Sequence, residues 1–313
     1  LPRARFHGTR FAGTAAAAGA VAVLTDDAGA AEARTSGLPV LVVGRPRDVL
    51  GRVAAWVYGE PSRDLLMLGV TGTNGKTTTS YLLDAVLGEV FGPAGLIGTV
   101  ETRVGAERIT SVRTTPEATD LQALLAVMRE RGVHACAMEV SSHALALGRV
   151  DGIVFDVVGF TNLSQDHLDF HEDMDSYLAA KASLFTPLRA RRAVVCVDDA
   201  GGRRIAGESG VPVTTVTSRT GVDADWRVDS AVPVDDGERT AFDLVSRSGT
   251  RHHLVSPLPG DFNIANTALA AVMLLGAGLE PKRIAAGLGE VTGVPGRMER
   301  VGGGLPNEPM ALV

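Results

Sequence analysis

The stretch LLMLGVTGTNGKTTT, residues Leu65–Thr79, decides the fold. Its first part, Leu65–Val70, is an uninterrupted apolar run of strand length, which is typical of a strand buried on both faces of a parallel sheet. A tight turn that contains glycine follows at Thr71–Gly75, and a helical pattern begins at Lys76 and extends to Leu87. A strand, a glycine-containing turn and a helix in this order predict an α/β fold of the P-loop type.

The turn between this strand and this helix is predicted to bind the phosphates of a nucleoside triphosphate. Backbone N–H groups at the start of the helix face an anion, and the helix dipole assists them. The Lys76 side chain can reach the β- and γ-phosphates, and the Thr77 hydroxyl is placed to ligate Mg²⁺. The motif departs from the common one, because Val70 stands where the first glycine usually lies and Gly72 follows two residues later. The alternative interpretation is a glycine-rich turn with a surface lysine.

Strands and helices continue to alternate on the carboxyl side of this loop. The alternation indicates a mostly parallel sheet covered by helices on both faces. The further predicted strands are Ala94–Val100, Ala135–Val140, Val154–Phe160, Ala193–Val197 and Val213–Val216. The further predicted helices are Thr119–Arg131, Met174–Phe185, Gly202–Glu208, Phe262–Gly276 and Pro281–Leu288. Residues Asp225–Pro257 alternate with period 2 between turn signals, which predicts a small antiparallel patch.

Turn chemistry at Glu60–Arg63 marks a predicted domain boundary. We expect a partial α/β N-terminal domain at residues 1–62, a central nucleotide-binding domain at 63–301, and a linker at 302–313 that leads into a further domain. The chain begins at Leu1 in the middle of a helix and strand pattern and stops at Val313 as an apolar strand starts. We therefore expect a fragment that is cut at both ends.

The composition argues against several classes of protein. With 45% apolar and 21% charged residues, the 313-residue chain resembles an ordinary soluble globular protein. Its formal charge of −6 gives no support to sequence-independent nucleic-acid binding, which needs a basic surface. No apolar run approaches a membrane span and no signal peptide is recognised, so a cytoplasmic enzyme is expected. Cys136 and Cys196 lie in apolar runs and are interpreted as buried small hydrophobic residues.

Of three further polar side chains, the residue patterns make Glu139 a candidate magnesium ligand and give Lys181 no such role. Glu139 ends a predicted strand, where functional groups of parallel sheets collect, and its carboxylate can share Mg²⁺ with Thr77. The alternative for Glu139 is a capping residue beyond the strand. His167 lies between two carboxylates in a polar loop, which suits a ligand or an oriented acid–base group. Lys181 lies in a predicted helix, and the helix pattern alone predicts a solvated lysine.

Seven separated blocks of the chain resemble the Mur ligases, and most of all the MurE type. The blocks are GVTGTNGKTTT (Gly69–Thr79), TTPEATDLQ (Thr114–Gln122), MEVSSHALALGRVDG (Met138–Gly152), FTNLSQDHLDFH (Phe160–His171), YLAAKASLF (Tyr177–Phe185), GDFNIANTALAA (Gly260–Ala271) and GVPGRMERV (Gly293–Val301). The resemblance implies an ATP- and Mg²⁺-dependent ligase that adds a diamino acid, most commonly meso-diaminopimelate, to UDP-MurNAc-L-Ala-D-Glu through an acyl phosphate. It also implies a monomer, and a fragment that is inactive alone because the domain that selects the amino acid is missing.

The resemblance also assigns roles to individual residues. Those implied to bind ATP are Gly72, Thr73, Asn74, Gly75, Lys76, Thr77 and Thr78 at the phosphates, Asn263 and Asn266 near adenine, and Arg297 near the nucleotide. Those implied to ligate magnesium are Thr77, Glu139, His167 and Lys181, the last as an N6-carboxylated lysine that offers oxygen ligands. The implied catalytic residues are Lys76, Glu139, His167 and Lys181. Those implied to hold the UDP-linked dipeptide are Thr114, Thr115, Ser141 and Arg149.

Two departures from the family and three alternative functions accompany this assignment. Leu147 stands where some relatives have a substrate-binding glutamine, and the serine-containing motif that meets the uridine is missing, so weakened UDP binding is expected.

The alternative functions are another Mur ligase, a ligase like folylpolyglutamate synthase, and a noncatalytic nucleotide-binding relative. Meso-diaminopimelate, L,L-diaminopimelate and L-lysine all remain open as the added amino acid.

Overall fold

The computed structural model describes residues 6–109, 113–166, 169–297, 300–302 and 310–312 of the chain. The helices in these ranges are α1 (Ala12–Ala17), α2 (Asp27–Arg34), α3 (Pro46–Val57), α4 (Lys76–Phe91), α5 (Ala118–Glu130), α6 (Ser142–Ala146), α7 (Met174–Ala182), α8 (Ala200–Glu208), α9 (Asp261–Gly276) and α10 (Pro281–Gly289). None of them combines the length and the apolar composition that a membrane-spanning helix needs.

The strands of the described ranges form three sheets. The strands are β1 (Val23–Thr25), β2 (Val40–Val42), β3 (Leu66–Thr71), β4 (Gly95–Ile97), β5 (Thr102–Val104), β6 (Glu107–Ile109), β7 (Ala135–Glu139), β8 (Val157–Phe160), β9 (Ala193–Cys196), β10 (Val213–Thr217), β11 (Trp226–Val234), β12 (Arg239–Ser246), β13 (Arg251–Ser256), β14 (Arg300–Gly302) and β15 (Met310–Leu312). Strands β1 and β2 pair in parallel, β14 and β15 pair antiparallel, and the other eleven form one large sheet.

The large sheet is parallel in its centre and antiparallel at both ends. Its strand order is β13-β12-β11-β10-β9-β8-β3-β7-β4-β5-β6. Every neighbouring pair from β11 to β4 in this order is parallel, whereas β12 and β13 on one side and β5 and β6 on the other pair antiparallel. The predicted mostly parallel α/β sheet with an antiparallel patch at residues 225–257 is confirmed. The β5–β6 hairpin was missed, because its strands have only three residues each and β6 carries charged side chains.

Strand β3 lies in the middle of the parallel region because it is apolar on both faces. Leu68 and Val70 pack into the core on the side of α4, α9 and α10. Met67 packs into the second core, on the side of α5. Gly69 leaves space for Phe155, whose ring carbon Cδ1 would lie 2.9 Å from a Cβ at this position. The predicted helices on both faces of the sheet are therefore confirmed.

The first part of the chain packs on the central region through helix α3 and the two residues that follow it. Helix α2 contacts both β1 and β2, whereas α3 contacts α5. Gly51 of α3 lies so close to the Asp151 carbonyl that a side chain would collide with it. Glu60 then adopts a left-handed conformation (φ 51°), and the 3₁₀ turn Pro61–Asp64 leads into β3. The domain boundary after residue 62 coincides with this turn and stays a prediction.

The two cysteines are buried within the sheet. Cys136 in β7 is fully buried and Cys196 in β9 is 5% exposed, and both are free thiols. Burial raises the pKa of both thiols, that of Cys196 to about 12. The interpretation of both as buried small hydrophobic residues is confirmed.

Candidate active site

The carboxyl ends of four neighbouring strands surround the glycine-containing loop. In sheet order these strands are β8, β3, β7 and β4. Val70 of β3 pairs with Glu139 of β7 on one side and with Gly159 of β8 on the other. The strand that follows β3 in the chain, β4, lies beyond β7, whereas β8 lies on the opposite side of β3. Open α/β sheets bind ligands at such a reversal of strand order.

The loop is held in its shape by the residues that follow β8. Thr73 N–H donates to the Asn162 carbonyl at 2.8 Å, and Asn74 N–H donates to Asn162 Oδ1 at 3.0 Å. Thr161 Oγ1 donates to the Asn74 carbonyl at 2.6 Å. Gly72 (φ 145°) lies so close to Thr161 that a Cβ would overlap its hydroxyl. These hydrogen bonds within the chain hold the loop in its curved shape.

The start of α4 is suited to an anion. Its N-cap, Gly75, has φ 85° and makes no side-chain capping bond, and the first turn contains no acidic residue. A helix terminus of this kind leaves backbone N–H groups for a ligand, and its dipole favours negative charge. Thr77 and Thr78 are buried in the same turn, 4% and 5% exposed. The described residues of the loop thus fit the phosphates of ATP.

Lys76 folds back onto the loop that precedes it. Its Nζ donates to the Gly72 carbonyl at 3.0 Å and to the Thr73 carbonyl at 2.8 Å. Burial lowers the pKa of Lys76, while the negative charges of Glu139 and Asp166 oppose this shift. These carbonyls hold the ammonium group beside the N-terminus of α4. A phosphate bound there can accept hydrogen bonds from it.

Glu139 is fully buried at the end of β7, where its charge acts on Lys76. Within the described ranges, no group of three His, Cys, Asp or Glu side chains could hold a metal ion. Mg²⁺ usually takes one or two protein oxygens and completes its octahedron with water and phosphate oxygens. The Glu139 carboxylate and the Thr77 hydroxyl therefore fit a magnesium ion that arrives with a nucleotide. The predicted ligand His167 lies outside the described residues.

Lys181 lies in α7 and is 1% exposed, so the solvated lysine that the helix pattern predicts is wrong. Its Nζ donates to the Gly72 carbonyl at 2.7 Å and lies 4.3 Å from the centre of the Tyr177 ring. Burial, together with the nearby charge of Lys76, lowers the pKa of Lys181 to about 6. Helix α7 packs against the loop. This contact joins residues that are 109 positions apart in sequence, and it buries the Lys181 side chain.

Lysine usage carries a signal that could have identified this pair. Of the 30 basic residues of the chain, only Lys76, Lys181 and Lys282 are lysines. Two of these three donate to the same Gly72 carbonyl. Arginine cannot lose its proton in a protein, whereas a buried lysine can do so readily. In a chain that otherwise uses arginine, the two lysines at this loop thus mark a place where a compact or a neutral amine is required.

The four residues expected to hold the UDP-linked dipeptide lie together around the end of β7. Thr115 Oγ1 donates to the Glu139 carbonyl at 2.9 Å and accepts from Ser141 N–H at 3.2 Å. Arg149 Nη1 donates to the Thr115 carbonyl at 3.2 Å, and its Nη2 lies 2.9 Å from a carboxylate oxygen of Glu117. Glu117 was not among the predicted site residues. Thr114, the fourth residue, also lies at this edge of the sheet and contacts Thr99.

The residues expected near adenine lie on the other side of the loop, in α9. Asn266 packs against Gly75 so closely that a Cβ there would overlap Asn266 Oδ1, and Asn266 Nδ2 lies 3.4 Å from Asn263 Oδ1. A cavity of about 550 Å³ begins here, and Asn162 and Asn266 lie in its wall beside Phe262. This volume is in the range of small-ligand sites. The structure therefore places Asn266 against the loop, with Asn263 beside it in α9.

Arg297, the last residue expected near the nucleotide, lies near Lys76. The positive charge of Arg297 reaches Lys76 and contributes to its lowered pKa, so this arginine lies on the loop side of the sheet. A larger cavity of about 1510 Å³ lies between α3 and the central region, with Trp56 and Arg189 in its wall. None of the predicted site residues in the described ranges lines this second cavity.

Gly75→Ala tests how strongly the nucleotide site depends on the loop. We expect this variant to lose at least about tenfold in affinity for an ATP analogue, because the new methyl group displaces Asn266, and to lose about 1–2 kcal/mol of stability. The matched control is Gly132→Ala, which has a similar φ (70°) with nothing within 4 Å. It should lose stability without losing affinity, as measured by urea unfolding and calorimetric titration. Equal affinity losses in both variants would contradict the prediction.

The strands and helices around the loop match a known protein family. Residues 70–274 match the Mur ligase middle domain. This chain belongs to the Mur ligase family. A relative from Streptomyces coelicolor, named UDP-N-acetylmuramoyl-L-alanyl-D-glutamate--2,6-diaminopimelate ligase, is 56% identical over 308 residues, which are 98% of this chain and 60% of the relative. A relative of that name from Gloeobacter violaceus is 44% identical over 97% of this chain and 60% of its own length.

Solved structures agree with the fold of this Mur ligase chain. A structure titled as a UDP-N-acetylmuramoyl-L-alanyl-D-glutamate--2,6-diaminopimelate ligase covers 90% of the chain and 61% of its own, with a TM-score of 0.76 and 26% identity. FolC of E. coli, solved with DHPP and ADP, shares the fold with a TM-score of 0.62 and 22% identity, over 83% of this chain and 64% of its own. The Mur ligase chain spans about 60% of the length of the curated relatives it matches. The resemblance to the Mur ligases is confirmed, and the roles of individual residues stay predictions.

Proposed function

We propose that this chain carries the nucleotide-binding and carboxylate-activating part of an ATP-dependent ligase that adds a diamino acid to UDP-MurNAc-L-Ala-D-Glu. The observation that carries the proposal is the convergence of Lys76, Glu139 and Lys181 on one loop at the uncapped start of α4. The names of the relatives favour 2,6-diaminopimelate as the diamino acid. The expected location is the cytoplasm and the expected state is a monomer.

The loop would act first by holding ATP. Backbone N–H groups at the start of α4 bind the terminal phosphates, and Lys76 exchanges its two carbonyl acceptors for phosphate oxygens. Glu139 and Thr77 would hold Mg²⁺, which when bound supplies positive charge against the phosphates. The adenosine part would extend past Asn266 into the cavity of about 550 Å³.

The substrate carboxylate would then be brought to the γ-phosphate. Thr114, Thr115, Ser141 and Arg149 lie around the end of β7 and would hold the UDP-linked dipeptide there. A carboxylate oxygen forms a bond to the γ-phosphorus as the bond to the β–γ bridging oxygen breaks and ADP leaves. The diamino acid nitrogen next attacks the acyl carbon, inorganic phosphate leaves, and the amine proton passes to solvent. Lys76 would offset the charge that develops on the transferred group.

Lys181 would serve as a carboxylated side chain. Two ammonium groups that share one carbonyl acceptor repel each other, and the shared burial makes this repulsion costly. A neutral Lys181 nitrogen forms a bond to the carbon of CO₂ and releases one proton, which gives a carbamate anion. The carbamate would pair with Lys76 and offer oxygen ligands to Mg²⁺.

A chimaera tests the function, because the relatives are longer than this chain. In it, this chain replaces the matching 60% of the Streptomyces coelicolor relative. We expect amide formation and equal release of ADP with UDP-MurNAc-L-Ala-D-Glu, ATP and meso-diaminopimelate, and less product with L,L-diaminopimelate or L-lysine. Product with a folate and glutamate instead would favour the folylpolyglutamate alternative. Tight ATP binding with no product from any substrate would contradict the ligase proposal and favour a noncatalytic relative.

A further inference from the structure

The Glu139 carboxylate is held by Thr99, the second residue after β4. Thr99 N–H donates to Glu139 Oε1 at 2.8 Å, and Thr99 Oγ1 donates to Glu139 Oε2 at 3.0 Å. One residue therefore contacts both oxygens of the carboxylate. This geometry fixes both the position of the carboxylate and the plane in which it lies.

Gly98 allows this approach. It is buried, and its N–H donates to the Glu101 carbonyl at 3.0 Å. A Cβ at Gly98 would lie 2.5 Å from Glu139 Oε1, closer than real Cβ atoms come to a neighbour. Any larger residue at this position would push the carboxylate away from the end of β7.

Thr99 also connects the carboxylate to the segment expected to bind the substrate. Its Oγ1 lies 3.0 Å from Thr114 Oγ1. Since the Thr99 hydroxyl hydrogen is donated to Glu139, the Thr114 hydroxyl donates to Thr99. The same segment returns to Glu139 through Thr115, whose hydroxyl donates to the Glu139 carbonyl at 2.9 Å. Thr99 is exposed, so this chain of bonds lines the open side of the site.

We propose that Thr99 is a positioning residue that orients Glu139 for the metal and couples it to substrate binding at Thr114. The proposal rests on the proposed function, because it assumes that Glu139 holds Mg²⁺. Residues that hydrogen-bond a metal ligand typically change metal affinity or activity by roughly 10- to 100-fold when they are replaced. The two Thr99 bonds use one lone pair on each carboxylate oxygen, which leaves each oxygen a second lone pair that can ligate the ion.

The first test uses the 313-residue chain and the non-hydrolysable analogue AMPPCP. Calorimetric titration at a series of Mg²⁺ concentrations gives the apparent Mg²⁺ requirement for analogue binding. We expect Thr99→Val to raise this requirement by about tenfold and Thr99→Ser to restore it, while binding without Mg²⁺ stays unchanged. Thr35→Val is the matched control, because Thr35 is an exposed threonine whose hydroxyl donates to the Glu32 carbonyl, far from Glu139 in sequence.

The outcomes separate this proposal from the proposed function. If the parent chain needs Mg²⁺ and Thr99→Val needs no more of it, the role of Thr99 is overturned and the proposed function stands. If the parent chain binds AMPPCP with no dependence on Mg²⁺, both are overturned. Since Thr99→Ser keeps the hydroxyl, a loss in Thr99→Ser equal to that in Thr99→Val would assign the effect to folding and would also overturn the proposal.

The coupling to Thr114 is tested in the chimaera by a double-mutant cycle. Thr99→Val, Thr114→Val and the double variant are compared for the KM of UDP-MurNAc-L-Ala-D-Glu and for the Mg²⁺ requirement. We expect the double variant to be affected by less than the product of the two single effects on each quantity, because both changes break one chain of hydrogen bonds. Effects that multiply within error would overturn the coupling.

Discussion

The Lys76→Ala chimaera is expected to turn over at least about a thousandfold more slowly than the parent chimaera. Phosphoryl transfer depends on fixed charges that meet the developing negative charge, and Lys76 is the ammonium group placed at the start of α4. Its removal breaks two hydrogen bonds to loop carbonyls, each worth about 1 kcal/mol in net stability. The loss of rate should therefore greatly exceed the loss of stability, as measured by steady-state kinetics and urea unfolding.

The matched control for this prediction is the third lysine of the chain. Lys282 is exposed in the first turn of α10, so Lys282→Ala removes the same charge from the surface. Lys282→Ala should leave both kcat and the free energy of unfolding equal to the parental values within experimental error. A Lys76→Ala chimaera that keeps more than about a tenth of the parental kcat would contradict the assignment of Lys76.

The sequence predicted the sheet well where strands are buried on both faces. Leu65–Val70 was predicted as a strand, and β3 occupies Leu66–Thr71. The prediction succeeded because an uninterrupted apolar run is typical of a strand that is buried on both faces. The prediction of a strand over Ala94–Val100 was too long. Strand β4 ends at Ile97, since Gly98 and Thr99 leave the sheet and turn toward Glu139. The error thus falls on the segment to which we assign a positioning role.

The site was predictable in its local parts and not in its long-range contacts. Gly75 and Lys76 were found because strand, loop and helix are consecutive in sequence. The burial of Lys181 depends on the Gly72 carbonyl, which lies 109 positions earlier, and periodicity within α7 does not report such a contact. The same holds for Thr99, whose partner Glu139 lies 40 positions later. The family resemblance pointed to Lys181, and the scarcity of lysine, with only three among 30 basic residues, was a second signal that the prediction did not use.

Lys181 has an acid–base behaviour that makes its role testable by pH. Its pKa falls from an ordinary 10.5 to about 6, chiefly through burial. In the unfolded chain the amine binds a proton up to the ordinary pKa, so folding must release that proton between these two values. The resulting cost to stability is absent above pH 10.5, grows as the pH falls, and is complete below about pH 6.

Replacement by an uncharged side chain of similar length should remove this cost. We expect Lys181→Met, in buffer free of CO₂, to be more stable than the parent chain by a few kcal/mol at pH 6, with a gain that shrinks toward pH 9. Urea unfolding at several pH values measures it. A gain that is independent of pH would contradict the lowered pKa.

The same variant should lose the function that the neutral amine makes available. At pH 8 most Lys181 side chains in the folded chain are neutral, because the pKa is about 6, and only a neutral amine attacks CO₂. We expect ¹³C-labelled bicarbonate to give a carbamate signal in the NMR spectrum of the parent chain, and none with Lys181→Met. In the chimaera, Lys181→Met should lower kcat by about a hundredfold or more. Lys181→Arg separates the two roles, since it keeps a positive charge but forms no carbamate. If the parent chain gives no carbamate signal while Lys181→Arg keeps full activity, Lys181 acts as a cation and the carboxylated form is excluded.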